Sequence, residues 1–365
     1  MIKKGLSTRA QTIIAICCFV AVFVAMVVVV SVNNGALDLA VSDKIVDLEP
    51  GAYLTHNGFA FFFEACGETV IYLFAALAMG ILFWFCLKCI KFTPWDKVFA
   101  FICACLAVVA FWFYFKTIIG YVMDHYVGFG WKDVGAEGYP YAMHKSDIVV
   151  ITFIEIAASL VGGALMIFAF KSVKEQTLFK LAKWVIAFII AAAVASILIE
   201  LIKRPVGRMR YRTMNFFGDT NHNGFTAWYV ANGKRYGPDE YKWLADTHDM
   251  YKSFPSGHTC AAGTMYALIM LPVALGIKNK GIKAISIIAP ILYVGLVASS
   301  RIVAGAHYFS DVLFGGTIAF VCQMVVHEII VCKSVHFKSL GKNFVEPEEE
   351  IQDAEIPEQD AESIA

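Results

Sequence analysis

Eight separate stretches of this chain are apolar for about 20 residues, the length a helix needs to cross a bilayer. They lie at 13–32, 69–89, 98–120, 148–170, 181–202, 259–277, 282–300 and 309–332. Composition points the same way. Hydrophobic residues make up 59% and charged residues 16%, against roughly 45–50% and about 25% in a soluble domain. A single soluble core of this make-up would have too little polar surface to cover it. The expected fold is therefore all-α, a polytopic transmembrane helix bundle of about eight spans. Lys3, Lys4 and Arg9 precede the first stretch, as in a signal peptide. Its apolar run is too long for an h-region and no small-x-small cleavage site follows Val32, so it reads as a retained span.

The charges then orient the bundle. An even number of spans puts both termini on one face. That face receives sixteen Lys and Arg residues: Lys3, Lys4, Arg9, Lys88, Lys91, Lys97, Lys171, Lys174, Lys180, Lys183, Lys278, Lys280, Lys283, Lys333, Lys338 and Lys342. The first two loops of the opposite face carry only Lys44, Lys132 and Lys145. Positive charge marks the cytoplasmic side, so N- and C-termini are expected there, in a multi-pass cell-membrane protein. Short loops and the lack of a eukaryotic sorting signal suggest a bacterial cytoplasmic membrane. The 30 basic and 30 acidic residues cancel overall, which argues against a nucleic-acid partner. Nine of the acids fall in the tail after residue 345, which has no basic or aromatic residue and reads as disordered. Most of the ten cysteines sit inside apolar runs. Cys86 and Cys89 form a C-x-x-C there, with no second Cys/His pair near, and read as packing residues.

Three polar clusters break the apolar pattern. The first closes the fifth stretch, with Lys203, Arg208, Arg210 and Arg212. The second, Pro255, Ser256, Gly257 and His258, opens the sixth. The third, Ser300, Arg301, His307 and Asp311, joins the seventh and eighth. Between His258 and Ser300 lie 41 residues, enough for two crossings of about 20 residues and a turn. All three clusters therefore meet at the extracytoplasmic surface.

Lys203, Arg208, Arg210 and Arg301 supply cations for phosphate oxygens. Ser256 and Gly257 begin a helix, where free N–H groups favour an anion. His307 and Asp311 are four apart and share a helix face. The carboxylate can fix the imidazole tautomer and leave the other nitrogen as nucleophile. His258 can then protonate a leaving oxygen. Such a cradle needs no metal.

The clusters resemble the three-part signature of the type 2 phosphatidic acid phosphatase superfamily, which includes membrane lipid phosphatases and vanadium haloperoxidases. The signature runs Lys, six residues, Arg-Pro; Pro-Ser-Gly-His; then Ser-Arg, five residues, His, three residues, Asp. Lys203 with Arg210, Pro255 to His258, and Ser300-Arg301 with His307 and Asp311 match it. Tyr211 stands where the family has Pro. The resemblance covers roughly 181–332 and implies a six-helix phosphatase core with extra helices. It implies that His307 attacks phosphorus, Asp311 orients it and His258 protonates the departing group. Lys203, Arg210 and Arg301, with Ser256 and Gly257, would hold the phosphoryl oxygens, and Arg208 is added from its place in the first cluster. No metal or other cofactor is implied.

The expected organisation is an N-terminal transmembrane helix and outer loop (1–68), a membrane-embedded phosphatase core (69–335, outer loop 204–257) and the acidic cytoplasmic tail (343–365). The expected function is a metal-independent phosphatase for a phosphomonoester or diphosphate of a lipid, with the bilayer as its setting. The alternatives are a lipid phosphotransferase using the same site, its acceptor bound by 211–254, and a non-catalytic lipid binder or transporter. Glu64, Glu68 and Glu155, acids in or beside apolar runs, could contact substrate or pair with a basic helix end. Asp219 to Gly224 copies the opening of a calcium loop, but Val230 stands where the bidentate Glu belongs. A turn rich in Asn and Gly is the expectation there.

Overall fold

A computed structural model of the protein describes residues 8–90, 94–128, 131, 143–241 and 249–332. The acidic tail, Lys91 and Lys132 lie outside the described residues, as do Lys3, Lys4, Lys333, Lys338 and Lys342. The helices are α1 Thr8–Ser31, α2 Ala36–Ile45, α3 Gly58–Cys66, α4 Val70–Cys89, α5 Trp95–Tyr126, α6 Lys145–Ala169, α7 Glu175–Val206, α8 Tyr211–Phe216, α9 Gly257–Ala262, α10 Ala267–Leu275, α11 Lys280–Val303 and α12 Phe309–His327. Among the described residues there is no strand. Eight helical runs among these residues are long and apolar enough to cross a membrane. The chain is thus an all-helical, multi-pass membrane protein.

Six of the eight spans found among the described residues are longer than the apolar stretches suggested. Expected at 69–89, the second runs over Gly58–Cys89, because α3 leads into α4 through one irregular turn. The third and fifth each have 32 residues. Apolar length sets only the crossing, and the helix continues until something stops it. For α7 the stop is Gly207, whose φ of +53° is a left-handed cap. A Cβ there would also run into the Gly233 carbonyl.

Helix α7 is the central post. One stripe (Trp184, Val185, Phe188, Ala192) packs with Phe74, Ala78 and Ile81 of α4. Another (Ala191, Ala195, Ile199) meets Cys260 of α9 with Ala319 and Cys322 of α12. Small residues bring these helices close. A Cβ on Gly315 of α12 would strike the Ser256 carbonyl, so this glycine lets α12 lie against the start of α9. Outward-facing Phe101, Phe153, Leu165 and Ile285 are strongly exposed. In a bilayer they would face lipid, where an apolar side chain has no desolvation to lose. The expected boundary at 68/69 falls inside the second span, and the chain before it packs onto the rest through buried ion pairs described below.

Candidate active site

The end of α7, the start of α9 and the α11–α12 turn lie at one end of the bundle. They enclose a cavity of about 530 Å³. Lys203, Arg210, Gly257, His258 and His307 line it, so all three sequence clusters contribute. Glu68, Tyr121 and Asp249 line it as well, and Ile71, Ala192, Ala195 and Ile199 extend its wall down α4 and α7. Ile199 is one helical turn from Lys203 and Ala192 about three, roughly 16 Å along the axis from Lys203.

Lys203 is set by the last turn of α7 and is 9% exposed. Its Nζ lies beside Gly257, where a Cβ would approach it to 3.2 Å. Among the described residues the Lys203 ammonium has no ion-pair or hydrogen-bond partner. Arg210 is held by the Asp249 carboxylate and carbonyl, each at 2.9 Å, and by the Ala306 carbonyl at 3.2 Å. Burial works to raise the Asp249 carboxyl, but the guanidiniums of Arg210 and Arg212 outweigh it and hold it at about 2.

His307 sits in the turn before α12. Its Nδ1 lies 2.6 Å from the Ser253 carbonyl. A carbonyl only accepts, so Nδ1 carries the hydrogen and Nε2 keeps its lone pair. Burial, then Arg210, Arg301 and Lys203, hold this imidazole well below the ordinary histidine value. A neutral imidazole with Nε2 free is the form a nucleophile requires.

Asp311 stands one step further back than expected. Its Oδ2 is 3.7 Å from His307 Nδ1, beyond hydrogen-bond range. The carboxylate instead accepts from Ser253 Oγ at 2.5 Å, the Tyr308 N–H at 2.8 Å and Arg208 Nη1 at 2.6 Å. Orientation reaches His307 through residue 253, whose hydroxyl binds Asp311 and whose carbonyl binds the ring.

Arg208 does not line the cavity. Its nitrogens bond Asp38 (2.8 Å), Asp311, Ser310 (2.9 Å) and the Thr226 carbonyl (2.7 Å), and it lies over the rings of Phe225 and Tyr308. Fully buried and fully engaged, it supports Asp311 and is not placed to hold substrate. Arg208 and Arg210 are two apart, so they leave the chain on different sides. Ser256 is also turned inward: its Oγ caps α9 through Thr259, and Gly257 alone of the pair lines the cavity.

Arg301 is fully buried. Its Nη2 binds Glu64 Oε1 at 2.8 Å, while Nε and Nη1 have no partner among the described residues. Unpaired buried donors are costly, and two on one guanidinium make a ready fork for an anion. Glu64 also pairs with Arg212 at 3.2 Å.

On the other side, His258 Nε2 is 3.0 Å from the Tyr121 hydroxyl and its Nδ1 is 3.4 Å from Glu68 Oε2. Tyr121 also reaches Glu68 Oε1 at 3.1 Å. The acids flagged by their apolar setting thus divide. Glu64 pairs with basic residues, Glu68 enters the cavity and Glu155 is buried on α6 away from it. Asp38, Tyr121, Asp249 and Ser253 carried no motif. The Asp219 carboxylate accepts from the N–H groups of Asn223 (3.0 Å) and Gly224 (2.7 Å), the expected turn.

The geometry is that of a cavity with cationic groups and two imidazoles at one end and an apolar wall along the helices. Residues 180–332 match the family model of the PAP2 superfamily. The chain is similar to the lipid A 1-phosphatase of Rhizobium etli, with 27% identity over 157 residues. That match covers 42% of this chain and 54% of the relative, so the chain spans about half the length of the curated protein it matches. No solved structure matches it.

Proposed function

We propose that this protein is a metal-independent lipid phosphatase acting at the extracytoplasmic face of a cell membrane through a phosphohistidine on His307. One observation carries the reading. Lys203, Arg210, Gly257, His258 and His307 come from three distant clusters and line a single cavity whose wall continues down apolar helix faces. The headgroup enters among the cations and the chain lies along α4 and α7.

Lys203, Arg210 and the free edge of Arg301 take the phosphoryl oxygens, whose charge grows in the transition state. His307 Nε2 attacks phosphorus and its Nδ1–H stays on the Ser253 carbonyl. His258 protonates the leaving oxygen, then removes a proton from the water that cleaves the P–N bond. Arg208, Ser256 and Asp311 act from behind. The Lys-rich loops at the opposite end of the bundle support an outward-facing site. The organisation we favour keeps 69–335 as the phosphatase core, 1–68 as an anchoring segment and 343–365 as a cytoplasmic tail.

The substrate class is a lipid bearing a terminal phosphate or diphosphate. The similarity to a lipid A 1-phosphatase puts a phosphorylated saccharolipid first, ahead of polyprenyl diphosphate, phosphatidate and phosphatidylglycerol phosphate. Purified protein in chelator should release phosphate from at least one of the four. His307→Ala should remove about 10⁴-fold or more of that activity, as loss of a nucleophile does. Undiminished release by His307→Ala would end the phosphohistidine reading.

A further inference from the structure

His258, Tyr121 and Glu68 form a closed ring of contacts. The two ring nitrogens of His258 face Tyr121 Oη and Glu68 Oε2, and Tyr121 Oη also faces Glu68 Oε1. Tyr121 has one hydrogen and cannot donate to both neighbours. If it donates to Glu68, Nε2 must carry a proton, and Nδ1 opposite the other carboxylate oxygen must carry one too. If it donates to Nε2, the carboxyl must hold a proton instead. Both arrangements contain the same number of protons. The ring is complete only with one proton more than a neutral imidazole and a carboxylate, and Tyr121 connects the two places it can sit.

We propose that Glu68 and Tyr121 are the positioning residues of the general acid, holding with His258 the proton that leaves with the lipid. This rests on the reading above. The three come from three different spans, Gly58–Cys89, Trp95–Tyr126 and Gly257–Leu275, so the acid is assembled by the bundle and not by the signature cluster.

The charge balance around His258 requires such a partner. Lys203 and Arg210, both cations, line the same cavity, and Glu68 is the carboxylate beside His258 Nδ1. Glu64 is committed to Arg301 and Arg212. Glu68 has no ion pair except with His258 among the described residues. Substrate phosphate brings further negative charge and favours the protonated ring. In the reaction the leaving oxygen takes the place of the Tyr121 hydroxyl at Nε2. The P–N bond to His307 forms, the P–O bond breaks, and the Nε2 proton passes to the departing oxygen. His258 is left neutral with its Nδ1–H toward Glu68. In the second half Nε2 takes a proton from the attacking water and the ring is restored.

An acid matters for an alkoxide leaving group and little for a nitrophenolate. The test compares phosphatidate with para-nitrophenyl phosphate on the purified full chain in detergent, for wild type, Glu68→Gln, Tyr121→Phe, His258→Ala and His307→Ala. Glu68→Gln should lower kcat for phosphatidate about 30-fold or more and for the nitrophenyl ester about 3-fold or less, since a general acid is worth roughly 10²–10⁴. The alkaline limb of its kcat profile on phosphatidate should move down by about one pH unit, because losing the carboxylate frees the proton earlier. Tyr121→Phe should show the same selectivity at roughly 5- to 10-fold, and it keeps the ring shape should Glu68→Gln unfold. Equal losses on both substrates, or an unmoved limb, would overturn the proposal. Wild type active on both substrates and His307→Ala on neither keeps the parent reading intact whatever Glu68 does. Where another of the four lipids is the better substrate it replaces phosphatidate in the comparison, and a wild type inert on all four and on the nitrophenyl ester overturns both readings.

Discussion

His307 and His258 line one cavity, yet the protein treats them differently. His307 is 1% exposed and its Nδ1 is fixed on a neutral carbonyl. Behind it stand Asp311, Arg208 and Asp38, all three fully buried, with the Arg208 guanidinium bonded to both carboxylates. His258 has a side chain 13% exposed and leans on a carboxylate and a hydroxyl that can exchange a proton. On the proposed mechanism one ring stays neutral and still, and the other gains and loses a proton in each cycle. A neutral partner with cations around it suits the first task, and a titratable partner suits the second. The pair teaches that two copies of one side chain are assigned opposite roles by what touches the nitrogen facing away from substrate.

The largest way to break that contrast is to open the buried frame. Arg208→Met removes the cation between Asp38 and Asp311 and leaves both carboxylates buried without it. Loss of one partner from a buried pair costs about 3–5 kcal/mol, so thermal unfolding in detergent should show a large drop in Tm and activity should fall on every substrate. Asp38→Asn keeps the shape and the bond to the Ser310 N–H, and should cost about 1–3 kcal/mol. A double-mutant cycle should show strong coupling. Independent effects would mean that the frame is not one unit.

A smaller effect sharpens the contrast through pH. On the proposed mechanism His307 attacks only when neutral. Burial and the cations Arg210, Arg301 and Lys203 hold its value well below the usual histidine range. The acid limb of kcat/KM on para-nitrophenyl phosphate should therefore lie below pH ~6.5, the ordinary imidazole value. Arg210→Gln removes one repelling charge, so the imidazole should take up a proton at higher pH and the limb should move upward. A wild-type limb at or above that value would deny His307 its neutral setting. The alkaline limb belongs to the His258 ring, so the two limbs should respond to different substitutions.

Much of this was open to reading in the chain. Eight apolar lengths defined the bundle, because a bilayer demands them. Spacing brought Lys203, Arg210, Gly257, His258 and His307 to one face, and they line one cavity. What spacing lacks is direction. Arg208 and Arg210 have the same chemistry two residues apart, and only the packing of Phe225 and Tyr308 around Arg208 separates a support from a cavity wall. Asp38 and Asp249 look like ordinary acids of a helix and a loop. Tyr121 is one of 15 tyrosines and gains meaning only from α5 running past the apolar stretch to meet α9. Glu68 was visible as an acid beside an apolar run, but nothing local distinguished it from Glu64, four residues earlier, which became a partner of Arg301.

The smallest effect concerns Tyr211, which stands where the signature has proline. Proline constrains the residue before it to extended backbone and is well placed at the first position of a helix, where its missing N–H is not needed. Tyr211 is the first residue of α8. Arg210 before it has φ −75° and ψ 149°, the conformation a following proline would impose. The loop thus already has proline's geometry without proline. Tyr211 uses its side chain instead, donating to Asp43 at 2.9 Å and packing near Tyr308. Tyr211→Pro should exchange a half-exposed contact for a stiffer backbone and change stability by about 1 kcal/mol or less. Activity should stay within about 3-fold, since Arg210 keeps its hold on Asp249 and the Ala306 carbonyl, well short of the loss expected of a group in the transition state. A drop beyond 10-fold on both test substrates would show that the Tyr211 ring, and not the backbone path, sets where Arg210 meets the phosphate.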